Sequence, residues 1–130
     1  MNKNFSNSEI EKMMQDTHNQ KCNDCDAQFP QWASINNAVF LCIKCAGVHR
    51  SFGKEISRVK SLHMDHLYDI ILIINKLFRN ETELGVLLKG GNLRFHQLLD
   101  IYSISPQTPC DAKYRTKAVD YYRQLVNMIL

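Results

Sequence analysis

The chain has 130 residues, a length that suits one domain with a buried core. Apolar residues make up 45% of the sequence and charged residues 22%, proportions of a globular protein that exclude a disordered or collagen-like chain. A net charge of +3 is too small to require a nucleic-acid partner. The longest apolar run, LYDIILIINKLF, is shorter than the roughly 20 residues that cross a bilayer. We therefore predict a single domain over residues 1–130 without a transmembrane segment.

The N-terminal segment predicts a helix from about residue 6 to residue 18. Ser6 and Glu9 have the spacing of a capping box, and Ile10 and Met13 then recur at helical spacing. The segment lacks an apolar signal core. We therefore expect a reducing compartment, in which cysteine thiolates persist.

Two Cys-x2-Cys pairs follow, separated by sixteen residues. Cys22 and Cys25 form the first pair, and Cys42 and Cys45 form the second. Four thiolates at this spacing predict one tetrahedral, structural zinc ion with no position open to water, so another group must carry the function. The spacing alone leaves open a disulfide pair, an iron–sulfur cluster or a redox motif. Cys110 is left over, and we interpret it as a free thiol without an assigned role.

The sequence between and after the pairs predicts a small sheet and a short helix. Residues 32–35 and 39–41 have strand composition, and Asn36-Asn37 between them suits a tight turn with positive φ. A helix is expected after the second pair, ended by Gly53, with Arg50 near its end on the surface. Residues 57–62 alternate in polarity and predict a third strand.

The second half of the sequence predicts helices. They are expected near residues 66–79 and 81–89, and Gly90-Gly91 ends the second. Asn92 is predicted to cap a helix that runs to about residue 101. Pro106 and Pro109 bound a loop, and Asp111 is expected to start a final amphipathic helix. Its apolar positions at helical spacing are Tyr114, Ala118, Tyr121, Leu125 and Met128.

These motifs together resemble the GTPase-activating domain of the Arf (ADP-ribosylation factor) regulators. The family pattern Cys-x2-Cys-x16-Cys-x2-Cys-x4-Arg falls without a gap on Cys22, Cys25, Cys42, Cys45 and Arg50. The matching segments include Trp-Ala-Ser at 32–34, Val-Phe-Leu-Cys at 39–42, Gly-Val-His-Arg-Ser at 47–51 and Gly-Gly-Asn at 90–92. The terminal AKYRTKAVDYYRQLV resembles the last helix of the Golgi-type subfamily.

The resemblance implies an α+β fold with a zinc-bound, three-stranded antiparallel sheet surrounded by helices. It implies that Arg50 is a catalytic arginine finger supplied in trans, and that Trp32 supports that finger or contacts the partner. The chain would then be an activator that completes the active site of a partner GTPase, and not itself an enzyme. The expected partner is a GTP-bound Arf-family small GTPase, with coat proteins as further partners.

The implied location is cytoplasmic and peripheral at Golgi and vesicle membranes, with membrane association through regions outside this chain. The sequence departs from the family after Met64-Asp65, where the usual Trp is absent and His66-Leu67-Tyr68 follows. The segment from residue 66 to residue 89 is also longer than the family's. We expect helix packing there, and any partner surface that it forms, to differ.

Two other interpretations compete with an activator. One is a four-cysteine nucleic-acid module whose basic residues contact phosphates. These basic residues are Lys44, Arg50, Lys54, Arg58 and Lys60. Because Glu55 interrupts them and no basic tail follows, we expect no nucleic-acid partner. The other is an adaptor that binds the GTPase or a coat without stimulating hydrolysis. His49, next to Arg50, is predicted to orient the loop or face solvent, and not to act as a base.

Overall fold

A computed structural model describes residues 12, 13, 15–61, 86, 87 and 89–128 of the chain. Within this part, a three-stranded antiparallel sheet packs among helices, so the predicted α+β class is confirmed. In chain order the elements are a 3₁₀ helix (Thr17–Gln20), β1 (Trp32–Ser34), β2 (Val39–Leu41), α1 (Ile43–Arg50), β3 (Val59–Ser61), α2 (Asn92–Ile101), α3 (Cys110–Tyr114) and α4 (Lys117–Val126).

The first strand, β1, lies in the middle of the sheet. It pairs antiparallel with β2 on one side and with β3 on the other, in the order β2-β1-β3. Trp32 is opposite Leu41 in β2 and opposite Ser61 in β3. All three predicted strands are therefore confirmed, and α1 connects the two outer ones.

The turn between β1 and β2 differs from the prediction. Positive φ was expected at Asn36-Asn37, but Ala38 is the residue in the left-handed region, with φ 55°. Asn37 Nδ2 instead donates hydrogen bonds to Ser34 Oγ and to the Ile56 carbonyl, each at 2.8 Å. These bonds fix the Asn37 side chain inside the protein. The residue with positive φ is therefore Ala38, one position after the predicted pair.

The core lies between the sheet and α2, α3 and α4. All three residues of β2 are fully buried, and the helices contribute their inward-facing side chains. The fully buried large apolar side chains include Ile35, Phe40, Leu41, Leu87, Phe95, Leu99 and Tyr114. This core is shared by the cysteine-rich half of the chain and the helices that follow it.

The prediction that Asn92 caps α2 is wrong. Gly91, with φ 100°, is the N-cap, and Asn92 is the first residue of the helix. The Asn92 side chain instead accepts from Phe40 N and donates to the carbonyls of His18 and Lys21. Instead of capping its own helix, the Asn92 side chain makes three hydrogen bonds that join distant segments.

The predicted final helix is two helices, α3 and α4, separated at Arg115 and Thr116. Thr116 caps α4 by accepting a hydrogen bond from Val119 N at 3.2 Å. Most of the predicted apolar face lies outside, because the face of α4 that packs inward is offset from it by one residue. Tyr121, Leu125 and Met128 are exposed, and the buried residues of α4 are Val119, Tyr122, Arg123 and Val126.

Several predictions lie mainly outside the described residues. They are the helix near 66–79, most of the helix near 81–89, the start of the N-terminal helix, and the effect of His66-Leu67-Tyr68. Residues 12, 13, 15, 86, 87 and 89 are helical. No helix among the described residues combines the length and the hydropathy of a membrane span.

Candidate functional site

The four cysteines of the two pairs converge on one point. The sulfur atoms of Cys22, Cys25, Cys42 and Cys45 all lie within 4.8 Å of one another. Cys25 Sγ and Cys42 Sγ, one from each pair, are 3.6 Å apart. Four Zn–S bonds of about 2.3 Å in a tetrahedron separate the sulfurs by about 3.8 Å, so this arrangement fits one zinc ion. The quartet is the predicted one, and it is within reach of a single ion.

Local backbone geometry turns each pair toward the point that the four sulfur atoms share. In the first pair, Asp26 N donates to the Cys22 carbonyl at 3.0 Å, and Asp26 has a positive φ of 64°. In the second pair, Cys42 is the N-cap of α1, and its Sγ accepts from Cys45 N at 3.4 Å. A loop and the first turn of a helix thus supply two ligands each.

Burial controls the protonation of the two inner thiols. Burial raises the pKa of Cys22 to about 11, and burial with the nearby Cys22 raises the pKa of Cys45 above its usual range. Both thiols therefore lose their protons less readily than an ordinary cysteine does. A zinc ion held by these cysteines would stabilise their thiolates and displace the protons.

Arg50 is the last residue of α1, and its side chain is exposed. Its Cζ lies 4.5 Å from the centre of the Trp32 ring, which is in cation–π range. Trp32 is half-buried at the start of β1. Arg50 and Trp32 are thus in contact. The guanidinium is accessible to another molecule, and it lies at the end of a helix whose first turn carries two of the predicted zinc ligands.

His49, next to Arg50 in α1, is fully buried. Its Nε2 lies 2.8 Å from Asp24 Oδ2, and its Nδ1 lies 2.7 Å from Ser57 Oγ. Because a carboxylate only accepts hydrogen bonds, Nε2 carries a hydrogen. The solvent-facing alternative for His49 is therefore wrong, and its side chain orients this region from inside.

Asp24 is a site residue that the sequence analysis missed. It lies between Cys22 and Cys25, yet its side chain is only 1% exposed and is directed away from solvent. Tyr114 Oη donates to Asp24 Oδ1 at 2.6 Å, and Lys113 Nζ lies 3.4 Å from the same oxygen. The available signal was a single acidic residue inside the first cysteine pair, but its partners are distant in the sequence, His49 by 25 positions and Tyr114 by 90.

The charge of Asp24 is compensated inside the protein. Burial by itself would raise the pKa of Asp24, but the hydrogen bond from His49 and the charge of Lys113 outweigh burial and hold that pKa well below its usual range. Lys113 is itself 1% exposed. The pair is therefore an anion and a cation that share one buried site behind the cysteine quartet.

Comparisons with known proteins agree with this geometry. Residues 7–127 match the family model described as "Putative GTPase activating protein for Arf". The ADP-ribosylation factor GTPase-activating protein GCS1 of Saccharomyces cerevisiae is 35% identical over 106 residues, which cover 82% of this chain and 27% of that protein. Stromal membrane-associated protein 1 of Mus musculus is 50% identical over 56 residues, which cover 43% of this chain and 13% of that protein. The chain thus spans only a minor part of these relatives.

Solved structures show the same fold. A crystal structure titled as a GTPase activating protein for ADP ribosylation factor, from Cryptosporidium parvum, superposes with a TM-score of 0.67. The superposition covers 98% of this chain and 97% of that chain, at 21% sequence identity. The ArfGap domain of HIV-1 Rev binding protein superposes with a TM-score of 0.50 over 91% of this chain and 80% of that chain, at 23% identity.

The fold and the quartet define a zinc-finger domain in which a small sheet and an arginine-bearing helix share one metal site. With the family match over nearly the whole chain, the protein belongs to the Arf GTPase-activating protein (ArfGap) family. The predicted family is therefore confirmed. The assignment to its Golgi-type subfamily stays a prediction.

Proposed function

We propose that this chain stimulates GTP hydrolysis by an Arf-family small GTPase, and that Arg50 is the arginine finger. The observation that carries the proposal is the position of Arg50. It is exposed at the end of α1, stacked on Trp32, while the first turn of the same helix supplies two ligands of the zinc site.

The chemistry of GTP hydrolysis calls for such a group. As the γ-phosphoryl group moves to water, negative charge accumulates on oxygens that the GTPase alone stabilises incompletely. A guanidinium is planar, always charged and able to donate two parallel hydrogen bonds to those oxygens. An arginine supplied in trans accelerates hydrolysis by about 10³- to 10⁵-fold. The attacking water is positioned by the GTPase, so the activator needs no base and is not itself an enzyme.

Trp32 and the zinc ion support Arg50 in this proposal. The indole ring limits the rotamers of the Arg50 side chain, so less entropy is lost when the GTPase binds. The zinc is structural, because four thiolates leave no coordination position for water or substrate. The chain would act as one domain at Golgi and vesicle membranes, with coat proteins as further partners and membrane attachment through regions outside residues 1–130.

Single-turnover hydrolysis on a panel of GTP-loaded small GTPases tests the proposal. We expect stimulation only with Arf-type members, and a loss of about 10³-fold or more with Arg50→Ala. Arg50→Lys retains the charge but not the two-pronged geometry, so it should keep binding and lose most of the stimulation. Arg94→Ala is the matched control, because Arg94 is exposed on α2.

Three results would contradict the proposal in different ways. Wild-type rates with Arg50→Ala would remove Arg50 as the finger. Binding to the GTPase without faster hydrolysis would favour the adaptor, which is indifferent to Arg50. Steeply salt-dependent binding to duplex DNA, without stimulation of any GTPase, would favour the nucleic-acid module.

A further inference from the structure

We propose that Asp24 and His49 are positioning residues for Arg50, and that α3 completes this support through Tyr114 and Lys113. The inference rests on the proposed function of Arg50. It assigns a role to a buried ionic cluster, here called the Asp24 cluster, formed by Asp24, His49, Lys113 and Tyr114.

The helix that carries Arg50 has one anchor near each end. Cys42 and Cys45 attach its first turn to the zinc site, and His49 attaches its last turn to Asp24. The eight residues of α1 extend about 12 Å, and Arg50 lies about 7.5 Å along the axis from Cys45. A pivot of about 10° around the zinc end would therefore displace the Arg50 backbone by about 1 Å. Such a displacement can cost about 10²-fold in rate.

The contacts of His49 oppose such a pivot. Both ring nitrogens are bonded, to Asp24 and to Ser57. The ring also packs edge-on against Tyr114, with centroids 4.4 Å apart, and against Phe52 at 5.1 Å. Since adjacent helical residues project in different directions, the fixed inward side chain of His49 sets the direction in which Arg50 leaves the helix.

Asp24, which accepts the hydrogen bond from His49, is held in place by residues of α3. Asp24 Oδ1 accepts from Tyr114 Oη at 2.6 Å and lies 3.4 Å from Lys113 Nζ, while Oδ2 receives the His49 hydrogen bond. Cys110 Sγ, 3.5 Å from Oδ2, is a third contact from α3. Asp24 thus joins the first cysteine pair, the end of α1 and α3 through one carboxylate.

Tyr114→Phe tests the inference with a minimal change. It removes the hydroxyl that donates to Asp24 and accepts from Asn23 Nδ2, which keeps its hydrogen bond to Asp24 Oδ1. Tyr114 is distant in sequence from the cysteine quartet and from Arg50. Tyr122→Phe is the matched control, because Tyr122 is also buried and its hydroxyl has no hydrogen-bond partner among the described residues. Single-turnover hydrolysis is measured against activator concentration on an Arf-type GTPase, with zinc content and folded fraction determined for each variant.

A positioning role predicts a specific kinetic pattern. Tyr114→Phe should lower the saturating rate by about tenfold, less than the 10²-fold cost of a full 1 Å displacement, and leave the half-saturating concentration unchanged. Ser57→Ala, which removes the other polar partner of His49, should act in the same direction. Tyr122→Phe should match wild type. Saturating rates of Tyr114→Phe and Ser57→Ala that equal wild type, in folded and zinc-loaded protein, would overturn the inference.

Trp32 provides a second readout that does not depend on GTP hydrolysis. It is the single tryptophan in the sequence, and the Arg50 guanidinium lies over its ring. Arg50→Ala defines the fluorescence change caused by loss of this contact. Tyr114→Phe should shift the emission partly in the same direction and Tyr122→Phe should not; an unchanged Tyr114→Phe spectrum would also overturn the inference.

The two proposals fail differently. If Arg50→Ala leaves stimulation intact, the proposed function of Arg50 fails, whatever the Tyr114 variant does. If Arg50→Ala abolishes stimulation while Tyr114→Phe and Ser57→Ala reach wild-type saturating rates, only the positioning inference fails.

Discussion

Asn92 shows how one side chain can join three segments of this domain. Its Oδ1 accepts from Phe40 N in β2 at 2.8 Å, and its Nδ2 donates to the carbonyls of His18 at 2.9 Å and Lys21 at 2.8 Å. Asn92 is only 3% exposed, so the backbone groups that it bonds have little access to water as an alternative. The side chain therefore links the sheet, the segment before the first cysteine pair and α2.

We predict that Asn92→Ala lowers the free energy of unfolding by about 2–4 kcal/mol, because it leaves several buried backbone groups without partners. Urea denaturation followed by circular dichroism measures the change. Gln97→Ala, at an exposed position of the same helix, is the control and should stay within about 0.5 kcal/mol of wild type. A loss below about 0.5 kcal/mol for Asn92→Ala would contradict this role.

We predict that Tyr122 contributes to a loss of unfolding free energy at alkaline pH. Burial raises its pKa to about 12, against about 10 for a tyrosine in the unfolded chain. The folded state keeps a proton that the unfolded state loses, so stability is intact below about pH 10 and falls as the pH rises toward about 12. Tyr122→Phe should lose less unfolding free energy over this interval than wild type. If the unfolding free energy falls equally with pH in the two proteins, Tyr122 does not contribute.

At the scale of elements, the glycines of α1 and of the turn before α2 have opposite roles. Gly47 lies within α1, and a Cβ at this position would meet no atom within 4 Å. A Cβ at Gly90 would overlap the Cβ of Ala38 in the hairpin turn and lie 3.1 Å from the Ala38 carbonyl oxygen. The backbone of residue 90 therefore packs directly on the hairpin, whereas that of residue 47 faces open space.

Alanine substitutions should separate these two cases. Gly47→Ala should stabilise the domain by about 0.5–1 kcal/mol, because alanine loses less backbone entropy in a helix. Gly90→Ala should destabilise it by about 1–3 kcal/mol, because the turn and the hairpin must move apart. Thermal unfolding of both variants beside wild type measures the difference. If both variants were more stable than wild type, or both less stable, the packing described for Gly90 would be contradicted.

At the scale of the whole molecule, the zinc site and the helical core depend on each other. The first cysteine pair contributes Cys22 to the hydrophobic core, and Asp24 between the cysteines bonds to α3. The second pair begins α1, which packs on the sheet through the buried Ala46. Loss of the metal therefore leaves the sheet, α1 and the attachment of α3 without their common support.

We predict that removal of zinc by a chelator unfolds the domain cooperatively, because four uncompensated thiols cannot keep the two pairs together. Near-ultraviolet circular dichroism and metal quantification should change in parallel, and added zinc should restore both. A Cys110→Ser variant is the control, since Cys110 lies outside the quartet and should release zinc as wild type does. Retention of the wild-type spectrum after complete zinc removal would contradict a structural role.

The sequence by itself determined the local features of this protein. The spacing of Cys22, Cys25, Cys42 and Cys45 predicted the metal quartet, because a two-residue gap directs neighbouring thiols to one ion. Strand composition predicted β1 and β2, and alternation of polarity predicted β3. A helix after the second pair, ended by Gly53, predicted an exposed arginine near the helix end. Each of these properties depends on residues close together in the chain.

Only the tertiary structure decided which polar residues lie inside. Asp24, Lys113 and Arg123 are charged, yet all three side chains are buried, because partners distant in the sequence satisfy them. The same applies to Asn92. In α4 the buried apolar face is Val119, Tyr122 and Val126, which the predicted positions Tyr121 and Leu125 missed by one residue. A charge can leave water only where an opposite charge or hydrogen-bond partners replace it. Those partners come from segments that the fold alone brings together.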